Sequence, residues 1–361
     1  MSQTRAEALG GQILAQFEAA GAARVAPEAL QPADLLLDLY GEDIRARAFV
    51  THDPVDGELM LRPDFTVPVV QSHMAHGAEA GRYCYLGPVW RRQDLRSTRP
   101  RETLQVGIEM LGDADSPSAD AALFALLSEV LGRAPLTPII GDMGILLAAI
   151  DGLDAGDALK AALRRHLWRP ARFRRLLERF SKPEQISETR QALFDALEAG
   201  TLYGALSRHR AVGLRSAEDI AARVRLLKEE TERPRLPARQ VAILGELLSL
   251  AGPVSEVMAR LRELAEEMHA LAPAVDRAED RNAALEAAGV ETQSLRFELS
   301  FGRTTLEYYD GFVFGFLADD PALAPIASGG RYDALTGFLG DPPIPALGAI
   351  IRPETLAEVL P

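Results

Sequence analysis

The 361-residue sequence has a single cysteine, Cys84, few aromatic residues and no long apolar run. One cysteine excludes an intramolecular disulfide and a cysteine-rich metal site. The densest apolar stretch, residues 144–150, is far shorter than the ~20 residues that a membrane span requires. The first ten residues contain no basic segment followed by an apolar stretch, so we expect no signal peptide. These features predict a cytoplasmic protein without a membrane partner.

Basic residues are also in deficit, because Lys and Arg number 39 against 52 Asp and Glu, which gives a net charge of −13. Such a charge repels polyphosphate chains as a whole, although a local basic patch can still bind one. Residues 160–182 concentrate nine basic side chains against one acid, Glu178. This stretch is either a solvated helical face or a patch that binds an anion or a partner. The overall charge disfavours a nucleic-acid partner.

General catalytic and metal-binding motifs are missing as well. The sequence has no Walker-type phosphate loop, no His-Glu-x-x-His and no Gly-x-Ser-x-Gly. One histidine pair has metal-ligand spacing, His73 and His76, but no third ligand is near it, so we predict surface histidines. Cys84 lies between two tyrosines in a predicted strand, which favours a buried structural thiol over a nucleophile. We therefore predict no metal and no cofactor.

Periodicity divides the chain into three parts. Residues 5–20 carry an apolar stripe at helical spacing. Residues 104–111 alternate, so that Gln105, Gly107 and Glu109 face one side of a strand and apolar residues face the other. With the preceding strand and the arginine-rich loop between them, this pattern predicts an antiparallel pair. The predicted parts are residues 1–150, a mostly helical insert at 151–285, and residues 286–361, where strand character returns at 295–299 and 304–316.

Four segments, in order, resemble the core motifs of class II aminoacyl-tRNA synthetases of the histidyl-tRNA synthetase type. They are a Leu-Arg-Pro turn, motif 2, two histidine-specific motifs, and motif 3. The matching residues are Met60-Leu-Arg-Pro-Asp-Phe-Thr66, Gly87-Pro-Val-Trp-Arg-Arg-Gln93 with Arg101-Glu-Thr-Leu-Gln-Val-Gly-Ile-Glu109, Thr304-Thr-Leu-Glu-Tyr-Tyr309 with Ser328-Gly-Gly-Arg-Tyr-Asp333, and Leu347-Gly-Ala-Ile-Ile-Arg-Pro-Glu-Thr-Leu356. The resemblance implies an α+β fold, in which a six- or seven-stranded, mostly antiparallel sheet is flanked by helices, and a dimer formed near residues 24–27.

The resemblance also implies a histidine pocket. By carry-over from the family, Glu109 accepts an imidazole N–H, and Asp64, Thr66 and Gln105 bind the α-ammonium. Charge-assisted hydrogen bonds to a buried ligand are strong and reject analogues that cannot form them. The implied histidine-binding residues are Asp64, Thr66, Arg91, Gln105, Glu109, Tyr308, Tyr309 and Tyr332, and the candidates for binding an anion are Arg91 and Arg101. Without the resemblance, Asp64 and Thr66 would be helix caps, and Gln105 and Glu109 would lie on a solvated strand face.

Departures from the family pattern indicate that catalysis is lost. The motif 3 arginine, which contacts the ATP phosphates in the family, is Thr355 here, and a motif glycine is Arg352. The arginine of the histidine-specific motif is Thr304, while Arg303 lies one position earlier and, on a strand, would face the other side. Losing one group that stabilises developing charge costs about 10²–10³ in rate. The resemblance further implies no anticodon-binding domain after motif 3 and no tRNA partner.

A histidine pocket on a synthetase core without catalysis resembles the regulatory subunits of ATP phosphoribosyltransferase, the first enzyme of histidine biosynthesis. The resemblance implies that histidine binds for feedback control and that the chain, itself a dimer, assembles with a short-form catalytic subunit. Two alternatives stay open. One is a stand-alone enzyme that activates an amino acid without loading tRNA, using Arg303 or Arg352 instead. The other is a stress sensor or scaffold of the synthetase fold.

Overall fold

The computed structural model describes residues 3–34, 47–77, 79–93, 99–132, 134–181, 186–207, 216–232, 235–303 and 308–360. The chain divides into two compact units. The first consists of Met1–Gly152 and Leu244–Pro361, and the second of Leu153–Ile243. No helix among the described residues is long and apolar enough to cross a membrane.

All described strands belong to the first unit. In chain order they are β1 (Ala23–Arg24), β2 (Leu30–Pro32), β3 (Val50–Asp53), β4 (Gly57–Leu61), β5 (Gly81–Trp90), β6 (Glu102–Leu111), β7 (Thr137–Asp142), β8 (Ala251–Pro253), β9 (Arg296–Glu298), β10 (Phe312–Leu317), β11 (Ala327–Arg331) and β12 (Ala346–Ile351). They form a nine-stranded sheet in the order β1-β5-β6-β12-β11-β10-β7-β9-β8 and a three-stranded sheet in the order β2-β4-β3.

The described helices occur in both units. In chain order they are α1 (Gln3–Ala19), α2 (Thr66–His76), α3 (Ser116–Leu131), α4 (Met143–Asp151), α5 (Asp157–His166), α6 (Pro170–Ser181), α7 (Glu188–Glu198), α8 (Leu202–Ser207), α9 (Ala217–Glu232), α10 (Ala238–Leu247), α11 (Val254–Glu267), α12 (Ala272–Ala287), α13 (Asp333–Leu339) and α14 (Pro353–Val359). Short 3₁₀ turns cover His269–Leu271 and Thr292–Ser294.

The large sheet confirms the predicted architecture. Only the pairs β1·β5 and β7·β9 are parallel among the described strands, and the remaining pairs are antiparallel. The strand character predicted at 295–299 is confirmed by β9. The sheet has two or three more strands than expected, and two of its strands, β1 and β8, are only two or three residues long. Segments that short carry no readable alternation, so the sequence could not reveal them.

The hairpin of β5 and β6 was predicted from alternation, and the structure confirms it. The strands pair along their full lengths, from Gly81 opposite Leu111 to Trp90 opposite Glu102. The face with Val106 and Ile108 packs into the core. The opposite face is buried too, since Gln105 and Glu109 are 2% and 1% exposed. A strand covered on both faces can hold a polar group away from water.

A buried ion network joins the sheet to the helices of the first unit. Asp120 on α3 accepts hydrogen bonds from Arg331 Nε at 3.0 Å and Nη2 at 2.7 Å, and from Arg281 Nη1 at 3.4 Å. Arg281 on α12 also donates to Asp142 at 2.5 Å, and Arg331 to Asp333 at 3.0 Å. The charges are paired and hydrogen-bonded, as buried charges must be to persist.

The regular secondary structure of the second unit is entirely helical within its described residues. Its apolar side chains, among them Phe194, Leu202 and Val224, pack together inside the unit. The arginines of α5 and α6 are exposed, whereas Leu163 and Phe173 are buried, which fits a solvated basic face. No described contact of these arginines identifies an anion or a partner, so both interpretations of residues 160–182 stay predictions.

Three local predictions differ from the structure. The segment 244–285 was assigned to the helical insert, but it lies in the first unit, where α12 supplies Arg281 to the ion network. His73 was expected at the surface, yet it is buried and its Nδ1 lies 2.9 Å from the Tyr83 hydroxyl, while His76 is exposed. The expected strand over 304–316 begins only at Phe312 within the described residues. The composition of a segment and the spacing of its residues do not show which part of the protein a helix packs against.

The ion network predicts a large effect of Asp120→Ala. The substitution leaves two buried guanidinium groups without this carboxylate, and breaking a buried pair typically costs about 3–5 kcal/mol. The free energy of unfolding, measured by urea denaturation, should fall by that amount. Glu263→Ala is the control, because it removes an exposed carboxylate that pairs with Arg260. A loss no larger than that of the control would contradict the assigned role of Asp120.

Candidate functional site

Glycines form the floor of the site on one face of the large sheet. Directly opposite residues share a face, which places Glu109, Gly348 and Gly330 in one row across β6, β12 and β11. A Cβ atom at Gly348 would lie 1.6 Å from Glu109 Oε2, and one at Gly330 would lie 2.9 Å from Tyr309 Cδ1. The missing side chains therefore let Glu109 and Tyr309 lie flat against the sheet.

Three hydroxyl groups hold the Glu109 carboxyl. Thr66 Oγ1 and the Tyr85 hydroxyl each donate to Oε1 at 2.8 Å, and the Tyr332 hydroxyl donates to Oε2. Among the described residues no cation pairs with this carboxyl. Glu109 is thus an acceptor supported only by neutral donors.

Tyrosines enclose the carboxyl. The Tyr308 ring makes edge contacts with Tyr309 at 5.1 Å and with Tyr332 at 5.6 Å between centroids. The Tyr308 hydroxyl also donates to Thr66 Oγ1 at 3.4 Å. All three tyrosines are buried. The edges of such rings suit a flat, polar aromatic group better than an aliphatic chain.

The turn before α2 positions Asp64 and Thr66. Arg62 anchors it by stacking on Phe65 at 3.9 Å and donating to the Pro88 carbonyl at 3.1 Å, and Phe65 stacks on Tyr85 at 4.3 Å. Asp64 Oδ1 accepts from the Val67 N–H at 3.3 Å, so it does act at the start of the helix. Thr66 makes no capping bond and turns its hydroxyl to Glu109 instead.

Burial sets the charge of Glu109. Desolvation, with a smaller contribution from the charge of Asp64, raises the pKa of its carboxyl to about 7 against the opposing effect of the three hydroxyl hydrogen bonds. The same burial, together with the Glu109 charge, raises the pKa of the Tyr85 and Tyr332 hydroxyls well above the ordinary value. A carboxylate in this position gains most from a ligand that brings an N–H donor or a positive charge.

The other predicted residues lie toward the far end of the same strand face. Gln105 is buried, and its Oε1 has no hydrogen-bond partner among the described residues. Arg91 donates from Nε to the Pro63 carbonyl at 2.9 Å, and Arg101 is exposed. The structure therefore groups Asp64, Thr66, Glu109 and the three tyrosines, places Gln105 beside them, and leaves Arg101 outside the pocket.

Two sequence-based expectations change here. A solvated strand face for Gln105 and Glu109 is excluded by their burial. Arg303 was placed on a strand, but it lies in a turn in which its N–H donates to the Ser300 carbonyl at 3.2 Å, so alternation says nothing about its direction. Thr304 lies outside the described residues.

Sequence reasoning missed Tyr85, which was treated only as a neighbour of Cys84. The feature that points to Tyr85 is its partner in the β5–β6 strand pair. Tyr85 lies opposite Gly107, and a Cβ atom at Gly107 would come within 2.5 Å of the tyrosine ring. The expectation for Cys84 is confirmed: the thiol is buried, and burial raises its pKa to about 11. No group of three or more potential metal ligands was found among the described residues.

The chain is similar to known proteins over nearly its whole length. A family model described as histidyl-tRNA synthetase matches residues 1–233 and 214–356. The ATP phosphoribosyltransferase regulatory subunit of Allorhizobium ampelinum is 34% identical over 356 residues, covering 94% of each chain. That of Mesorhizobium japonicum is 34% identical over 380 residues, covering 99% of this chain and 100% of the relative.

Solved structures show the same fold. A Bacillus halodurans protein, titled as an ATP phosphoribosyltransferase regulatory subunit/histidyl-tRNA synthetase, superposes with a TM-score of 0.68 at 21% identity, over 99% of this chain and 79% of that one. A histidyl-tRNA synthetase from Nostoc superposes with a TM-score of 0.63 at 18% identity, over 99% and 73%.

The buried carboxyl predicts that Glu109→Gln stabilises the ligand-free protein in a pH-dependent way. The pKa is about 7 in the fold and 4.5 as the ordinary value, so the folded state holds the proton longer. The wild type therefore loses stability as pH rises from 4.5 through 7, by about 3 kcal/mol in all, whereas the amide of the variant cannot ionise.

Urea unfolding of both proteins between pH 5 and 8, without added ligand, measures the difference. We expect the advantage of Glu109→Gln to grow across this range and to level off above pH 7. Glu102→Gln, at the exposed start of the same strand, controls for removing a carboxylate. A difference that is constant with pH would show that Glu109 does not titrate in this window.

Proposed function

This chain belongs to the family of ATP phosphoribosyltransferase regulatory subunits, and we propose that it binds L-histidine in the pocket around Glu109 and thereby controls a short-form catalytic subunit. That subunit would catalyse the first step of L-histidine biosynthesis, and histidine would act as the feedback inhibitor. The chain itself is a non-catalytic subunit of this complex. Self-association as a dimer and a cytoplasmic location stay predictions from the sequence.

The observation that supports histidine as the ligand is the buried Glu109 carboxyl with hydroxyl partners and no cation among the described residues. An imidazole N–H would supply the missing charge-assisted hydrogen bond, and the Tyr308 ring lies against the rings of Tyr309 and Tyr332, whose hydroxyl holds the same carboxyl. Asp64 lies near the same carboxyl and is suited to the α-ammonium group. A pocket with these partners rejects side chains that cannot donate to Glu109, because the carboxylate would stay unpaired.

Control of a partner requires that the ligand favours one arrangement of the protein. The pocket residues come from five separate segments: the turn before α2 with the first residue of that helix, strand β5, strand β6, residues 308–309, and Tyr332 at the start of α13. The last two are tied together, because Asp310 accepts from the Asp333 and Ala334 N–H groups at 3.1 and 2.6 Å. A ligand that joins these segments can shift residues 308–310 relative to the sheet.

A complex with the short-form catalytic subunit tests this function. Histidine should inhibit phosphoribosyl transfer by the complex, and Glu109→Ala should relieve the inhibition. A coupling of about 1–3 kcal/mol corresponds to a fivefold to 150-fold change. The control is Glu102→Ala, which leaves the pocket intact. Full histidine sensitivity in a Glu109→Ala complex that still assembles and catalyses would place the inhibitory site elsewhere.

Amino-acid activation is the alternative function, and the positive charges of Arg91 and Arg352 at the far end of the pocket are the features that favour it. Thr355 on α14 replaces the motif arginine that would contact ATP phosphates.

We expect no histidine-dependent exchange of pyrophosphate into ATP. Thr355→Arg alone should not restore exchange, because such groups act as a unit. Exchange above background by the wild type would favour activation over regulation.

A further inference from the structure

Arg352 lies at the end of β12, on the same face of the sheet as Glu109. Ile351 pairs with Val106, so the following residue lies opposite Gln105. Gly348, four positions earlier, lies opposite Glu109, and an even spacing along a strand keeps residues on one face. The backbone N–H of Arg352 donates to the Ile326 carbonyl at 2.8 Å, which holds this register past the strand end.

The charge of Arg352 has no acidic counterpart in the described part of the chain. Its side chain donates to the carbonyl of Pro325 at 2.5 Å, and the cationic side chains whose charges act on it are those of Arg91 and Arg99. Burial and these like charges lower the pKa of Arg352 to about 10, which leaves it a cation at neutral pH. Positive groups gathered beside a buried pocket favour an anion there.

Tyr309 links the two ends of the pocket. The charges of both Glu109 and Arg352 act on its hydroxyl, the first raising and the second lowering its pKa. Gln105 lies between these ends on β6, and its buried Oε1 accepts from no described donor. One face of the sheet therefore presents a carboxylate, an unused neutral acceptor and a guanidinium in sequence.

We infer that Arg352, assisted by Arg91, binds the α-carboxylate of the amino acid whose imidazole lies at Glu109. The inference rests on the proposed function and goes further, since it assigns a residue that stands where the synthetase motif has glycine. The unused acceptor of Gln105 then faces the α-ammonium group. A planar guanidinium suits a carboxylate because it donates two parallel hydrogen bonds. The pocket thus selects a zwitterionic amino acid over the corresponding amine or alcohol.

Ligand analogues test this inference on the full chain. L-Histidinol keeps the imidazole and the ammonium group but has CH₂OH in place of the carboxylate. By calorimetry, the wild type should bind L-histidine about tenfold to a hundredfold more tightly than L-histidinol, as expected for a hydrogen bond between charged groups. Arg352→Ala should lower the affinity for histidine to that for histidinol, and leave histidinol binding unchanged.

Two further variants make the result unambiguous. Arg352→Gln keeps most of the side-chain volume and should lose the same preference, which covers the case in which Arg352→Ala does not fold. Arg82→Ala removes an exposed arginine from the opposite face of β5 and should keep the preference. Equal binding of both ligands by the wild type, or a preference that survives in the Arg352 variants, would overturn the inference. Failure of the wild type to bind histidine at all would instead overturn the proposed function.

Discussion

The buried Glu109 carboxyl is the constraint on which the rest of the site depends. An acceptor 1% exposed must find donors inside the protein, and it finds three hydroxyl groups on α2, β5 and the start of α13. The carboxyl and the side chains that donate to it also require space in the packed interior. Gly348 leaves room for the carboxyl itself, and Gly107 leaves room for the Tyr85 ring. The glycines of the floor, the register of the hairpin and the turn before α2 therefore serve one polar group.

That arrangement is costly without a ligand. Hydroxyl donors partly replace water around the carboxyl, yet its pKa is still about 7, so near neutral pH ionisation is close to balanced. An imidazole N–H would shift the balance toward the carboxylate and recover the desolvation penalty as binding energy. The charged guanidinium of Arg352 is also destabilised, because it is buried and the charges of Arg91 and Arg99 that act on it are positive as well. A zwitterion with an imidazole side chain would provide both an N–H donor for Glu109 and a carboxylate for Arg352.

Local patterns in the sequence predicted the parts of the site that depend on local geometry. Alternation over residues 104–111 was enough to put Gln105 and Glu109 on one face. It could not show that this face is covered, because Tyr308, Tyr309 and Tyr332 come from about 200 residues later in the chain. The prediction that His73 lies at the surface was wrong for the same reason, since only tertiary packing brings Tyr83 next to it. The end of the helical insert was misplaced because α12 has the composition of the insert but belongs to the ion network of the core.

The strengths of the contacts around Tyr332 indicate which elements can transmit a signal. Its neighbours Arg331 and Asp333 belong to a network with Asp120, and breaking a buried pair costs about 3–5 kcal/mol. Allosteric coupling is typically about 1–3 kcal/mol, which is too little to rearrange that network. Residues Tyr308 to Asp310 are joined to the rest of the site by hydrogen bonds with neutral groups. Asp310 accepts from the Asp333 and Ala334 N–H groups, its own N–H donates to the Arg331 carbonyl at 3.0 Å, and the Tyr308 hydroxyl donates to Thr66 Oγ1 at 3.4 Å. Under the proposed function, a ligand would therefore act by moving residues 308–310, while Asp333 and the sheet stay joined by the network.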